Sequence, residues 1–118
     1  MNETLDLIEL TKEYANAFHQ RDLTKVSEYL QDDVHLIDPI VNVCGREKVS
    51  DVVQGLFALP GEFAFIAKNI WRTGDTTFLE FELTLEGTTH EGIDIIEWRS
   101  SKICRLRAYL NEKKQNHE

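Results

Sequence analysis

The 118-residue chain carries a formal net charge of −8, with 42% hydrophobic and 29% charged residues, the balance of a globular domain and not of a disordered segment. That length suits one domain, residues 1–118, with a real hydrophobic core. The acidity speaks against nucleic acid and anionic membrane surfaces as partners, since both need a basic patch.

From about Leu5 to Gln20, the positions Leu7, Leu10, Tyr14, Ala17 and Phe18 recur at helical spacing. Asp22 is placed to N-cap a second short helix carrying Leu23, Val26 and Leu30, which Asp32-Asp33 breaks. A strand is expected from Val34 to Asp38, ended by Pro39, which has no backbone donor. Gly45 precedes a third helix with Val49, Val52, Val53, Leu56 and Phe57 on one side, and Leu59-Pro60-Gly61 stops it. After Gly61 the chain reads as strands: Phe63 to Trp71, Leu79 to Leu85, Thr88 to Trp98, and Ile103 to Leu110. Thr73-Gly74-Asp75, Glu86-Gly87 and Ser100-Ser101 supply the turns between them. Helices first and an antiparallel meander afterwards predict an α+β domain with its helices on one face of the sheet. The tail 113–118 reads as frayed.

Neither the N-terminus nor the interior suggests export or membrane insertion. Met1 to Asp6 lacks the basic-then-apolar layout of a secretory signal, and no run approaches the ~18 apolar residues of a membrane span. A cytoplasmic protein is expected, with Cys44 and Cys104 reduced.

Two carboxyls stand out because they fall in apolar strands. Asp94 lies inside Gly92-Ile93-Asp94-Ile95-Ile96, and Asp38 ends Val34-His35-Leu36-Ile37-Asp38. Alternation puts Asp38 on the face of Val34 and Leu36. The Asp94 strand has two candidate inner faces: His90, Gly92, Asp94, Ile96 and Trp98, or Glu91, Ile93, Ile95 and Glu97. Burying the first desolvates one acid and the second desolvates two, so the first is preferred. Ile93 and Ile95 then form an outer apolar patch suited to a homodimer. The bland alternatives are a salt bridge from Asp94 to Arg105 or Arg107, a plain Asp-Pro turn at Asp38, and a core aromatic at Tyr14. The arginines, however, alternate with Cys104, Leu106, Ala108 and Leu110 and belong outside, where Glu91 and Glu97 meet them. His90 shares the face of Asp94 but stands ~13 Å along the strand. No His or Cys spacing suggests a metal site, and there is no glycine-rich phosphate loop or nucleophile elbow. Chemistry without a cofactor is expected.

Tyr14 with Asp22 eight residues on, Tyr29 to Asp33, Ile37-Asp38-Pro39, Gly45-Arg46-Glu47 and the stretch from Asp94 to Tyr109 form one pattern. From about Leu7 to Leu110 the chain resembles the ketosteroid isomerase branch of the NTF2-like (SnoaL-like) superfamily. The resemblance implies a cone-like NTF2/cystatin-like fold, about three N-terminal helices on a curved, mainly antiparallel sheet. It also implies Asp38 as a general base, with Tyr14 and a protonated Asp94 as donors to an enolate oxygen. The chain departs from the family pattern at Leu30 and Val53, where further tyrosines stand, and at Leu110, where a tryptophan stands.

On that reading Val53, Phe57, Leu79 and Leu110 line an apolar cavity for a small hydrophobic carbonyl compound, and Asp94 donates only if burial lifts its pKa by roughly 3 or more. Two other classes remain open at this point. One is a SnoaL-like cyclase or hydrolase on the same scaffold. The other is a non-catalytic small-molecule-binding or dimerisation module, since fold alone does not fix function.

Overall fold

The computed structural model describes residues 6–112, so the expected fraying of 113–118 lies outside the described residues. The chain runs α1 (Leu7–His19), α2 (Leu23–Glu28), β1 (Leu30–Ile37), β2 (Asn42–Cys44), α3 (Arg46–Phe57), β3 (Phe63–Thr73), β4 (Thr76–Leu85), β5 (Thr88–Arg99) and β6 (Lys102–Glu112). Local chemistry sets the helix starts. Asp6 accepts a hydrogen bond from the Glu9 amide at 3.2 Å, and Asp22 accepts one from the Lys25 amide at 3.1 Å. Each satisfies a donor that the first turn leaves free.

Among the described residues, six strands form one curved, unclosed sheet in the order β2-β1-β6-β5-β4-β3. β1 and β6 run parallel; every other neighbouring pair is antiparallel. Two-residue turns join the last four strands into a meander. Glu86-Gly87 has φ of 52° and 82°, and Ser100-Ser101 has 54° and 66°, the doubly left-handed geometry that matches strand twist. Register shifts between Ala67 and Asn69 and between Glu97 and Trp98 bend the sheet. The three helices cover its concave side, α1 against β3 and β4, and α3 against β1.

Three details differ from the sequence reading. β1 begins at Leu30 and not at Val34, so Asp32 and Asp33 lie in the strand, exposed. The backbone of Tyr29 and Leu30 is already tied to β6, with the Ile103 amide donating to the Tyr29 carbonyl at 2.6 Å. β2, too short to show alternation, pairs back on β1 after Asp38. Finally, the bulge opposite Glu97 and Trp98 sends Ile103 into the core and leaves Cys104 half-buried. From Leu106 onward the expected alternation resumes, with Arg105 and Arg107 on the outer face beside Glu97.

Candidate active site

The inner face of β5 is the one carrying Asp94, Ile96 and Trp98, all buried, while Ile93 is 37% exposed on the other side. Asp94 is paired laterally with Leu79 on β4 and Ala108 on β6. Only 5% of Asp94 is exposed, yet among the described residues its carboxyl has neither a hydrogen bond nor an ion pair. Burial, followed by the nearby Asp38 carboxyl, pushes its pKa from 3.8 up to about 8. The arginines that offered a bland explanation serve Glu97 instead, Arg107 at 3.5 Å and Arg105 at 3.9 Å.

Asp38 lies one residue beyond β1, where the chain turns into β2. Its Oδ1 accepts hydrogen bonds from the Ile40 amide at 2.8 Å and the Val41 amide at 2.6 Å. Its own amide donates to the Val41 carbonyl at 2.8 Å. Asp38 therefore does build the Asp-Pro turn, but with one oxygen. Oδ2 has no hydrogen-bond partner among the described residues. The residue is half-buried, at the rim.

Tyr14 comes from α1, on the stripe that also buries Leu7, Thr11 and Phe18. Its ring meets Phe18 at 5.9 Å and stands edge-on to Tyr29 at 6.1 Å between centroids. The residue is 2% exposed, and its hydroxyl has no hydrogen-bond partner among the described residues. Burial and then the Asp94 carboxyl raise its pKa well above 10.0.

These three side chains line one cavity of about 80 Å³. Phe65, Phe81 and Leu83 from the sheet form one wall, and Val49, Val53 and Leu56 from α3 form another. Among the described residues the lining contains no arginine, lysine or histidine. Of the four expected apolar contacts, Val53 and Leu110 line the cavity; Phe57 and Leu79 do not. Phe57, at the last turn of α3, packs edge-on against Phe18 at 5.0 Å and Phe63 at 5.6 Å. Leu79, fully buried, sits level with Asp94 on the side that α1 covers. Parity placed Leu79 on the right face, but parity says nothing about how far along the strand the helices leave space.

The sequence reading missed Phe65, Phe81, Leu83, Leu106 and Ala108 as lining residues. Their alternation gave the signal of an inner face, without the depth. Gly92 contributes by lacking a side chain. A Cβ there would collide with the Tyr109 carbonyl and stand 2.7 Å from the Phe81 ring and 3.0 Å from Leu110. Leu30, Val53 and Leu110, the three departures from the resembled pattern, all line the cavity.

Several solved structures share this fold. An NTF2-like protein of unknown function from Cytophaga hutchinsonii superposes with a TM-score of 0.81 at 14% identity, over 94% of this chain and 95% of the other. A Kribbella flavida protein provisionally assigned as a ketosteroid isomerase gives 0.79 at 18% identity, over 93% and 81%. A Shewanella putrefaciens protein provisionally assigned as a SnoaL-like polyketide cyclase gives 0.76 at 10%, over 92% and 91%. Identities this low carry the fold and no activity. No curated protein matches the chain at a significant level. The sequence does match the SnoaL-like domain family over residues 11–106, nearly the whole span from α1 to β6, and the chain belongs to that family.

Proposed function

We propose that the protein catalyses cofactor-free proton transfer on a neutral hydrophobic carbonyl compound, an allylic isomerisation of the ketosteroid-isomerase type. Asp38, as carboxylate, removes a proton from the carbon next to the carbonyl through its free Oδ2 and returns it further along the substrate. Tyr14 and protonated Asp94 donate hydrogen bonds to the enolate oxygen that develops. Donors fixed in a dry cavity before charge appears need no reorganisation, and losing one typically costs ~3 kcal/mol, about a hundredfold in rate. The observation that carries this reading is Asp94, a lone buried carboxyl with its pKa at about 8, lining the same cavity as Asp38 and Tyr14.

The cavity of about 80 Å³ is far below the ~300 Å³ at which drug-sized ligand sites begin. It suits the reacting end of an enone, and the rest of a substrate would lie in the adjoining concavity of about 750 Å³ that Asp38, Phe81, Ala108 and Leu110 also border. The lack of arginine in the lining among the described residues disfavours the hydrolase alternative, which needs a cation to hold its water-activating acids. We further read the chain as a cytoplasmic homodimer joined through the outer sheet face around Ile93 and Ile95.

The test follows conjugation of a small β,γ-unsaturated ketone by its ultraviolet rise. Asp38→Asn should lower kcat by at least about a hundredfold, the scale of general-base catalysis, with KM little changed. Normal turnover by Asp38→Asn would remove the base assignment. Above pH 8, kcat should also fall as Asp94 loses the proton it donates.

A further inference from the structure

We infer that the same chamber binds a small primary alkylammonium ion, its three N–H donors shared among Asp38, Asp94 and Tyr14 and its alkyl group against Phe65 and Phe81. Two observations carry this. Two carboxyl side chains line the cavity, and among the described residues no cationic side chain does. Asp94 and Tyr14, 5% and 2% exposed, have no hydrogen-bond partner among the described residues, and neither does Asp38 Oδ2. Buried polar groups are normally satisfied, and an unpaired buried carboxyl is costly, so a cation with several donors is the complementary guest.

Size narrows the class. A dry cavity of about 150 Å³ accommodates benzene, so about 80 Å³ holds roughly three or four non-hydrogen atoms on the same scale. Isopropylammonium has four. Its neutral isostere 2-propanol has the same shape, and propionate supplies the opposite charge.

Binding a cation beside Asp94 favours its carboxylate, so the complex should release a proton below pH 8. Among the described residues, the ionisable groups facing Asp94 across the chamber are Asp38, from the end of β1, and Tyr14, from α1. The walls from α2, α3, β3, β4 and β6 are aliphatic or aromatic. No turnover is required, so ammonium binding and isomerase activity succeed or fail separately.

Isothermal titration of the full chain with isopropylammonium chloride, 2-propanol and sodium propionate, in two buffers of different ionisation enthalpy, tests this. One saturable site is expected, with the ammonium at least tenfold tighter than either control and with proton release at pH 7. Asp94→Asn, a neutral near-isostere, should weaken the ammonium at least tenfold and abolish that release. Equal affinity for isopropylammonium and 2-propanol would overturn the inference, and so would proton release that survives in Asp94→Asn. Should that variant fail to fold, the wild type decides alone. Its ammonium affinity must rise between about pH 6 and pH 8 as the competing proton leaves; a flat profile refutes the site.

Discussion

At the scale of single residues, Asp94 ties chemistry to stability. Its folded pKa is about 8 against an ordinary 3.8. Between those values the native state keeps a proton that the unfolded chain has lost. Stability therefore falls as pH rises through that window, and the group's full contribution is present only below 3.8. Asn in its place has the same shape and nothing to titrate. Asp94→Asn should thus gain stability relative to wild type by at least ~2 kcal/mol between pH 5 and pH 8.5, at 1.36 kcal/mol per pKa unit, measured by urea unfolding at both pH values. A constant difference across that range would show that Asp94 titrates normally. The carboxyl and its side of the strand were legible because the alternative face required two buried glutamates. Phe57 and Leu79 were misplaced because hydrophobicity marks what is buried without saying which buried residues face empty space.

Among the elements, the seam between α1 and the sheet decides whether Tyr14 stays opposite Asp94. A chain of hydrogen bonds crosses that seam. The Trp98 indole donates to Thr77 Oγ1 at 2.9 Å, Thr77 meets Thr11 Oγ1 at 2.8 Å, and Thr11 donates to the Leu7 carbonyl at 2.7 Å. Thr11 spends its proton on Leu7, so Thr77 must donate to Thr11. Thr11 and Thr77 are fully buried, which makes each lost partner expensive. Thr77→Val should cost ~1–3 kcal/mol, the penalty for stranding buried donors and acceptors. Thr77→Ser, which keeps the hydroxyl, should cost distinctly less; thermal unfolding of the pair reads the difference. The turns offer the opposite opportunity. Ser100 and Ser101 hold φ of 54° and 66° without being glycine or asparagine. Replacing them by Asn-Gly should raise stability by ~1 kcal/mol, since αL geometry costs other residues about that much. Glu86-Gly87 was readable as a turn from its glycine. The strand β2 was not, because three residues with an exposed–half-buried–exposed pattern show no period that a sequence can betray.

Across the whole molecule, the order of helices followed by an alternating meander was enough to place the class and the helix-covered face. The parallel join of β1 to β6 was not readable, because it brings together segments separated by α3 and four strands, and no local signal spans that distance. The join matters to the site: it sets β1, with Asp38 at its end, next to β6 and one strand from Asp94. The opposite face of the same sheet carries Ile66, Trp71, Ile93 and Tyr109, all exposed. Ile93, Ile95 and Tyr109 also line a broad concavity of about 750 Å³, together with the charged Lys68, Glu80 and Glu91, and it shares Asp38, Phe81, Ala108 and Leu110 with the chamber. Apolar side chains gathered on one sheet face are the surface expected to be covered by another copy. Ile93 pairs with Glu80 and Tyr109 across the strands and points away from the chamber. Ile93→Lys should therefore shift a dimer to monomer in sedimentation velocity at micromolar concentration while leaving the pH dependence of stability unchanged. A wild-type chain that sediments as a monomer would remove the interface. A variant that loses the pH dependence together with the dimer would instead mean that the chamber is held in shape by the second copy.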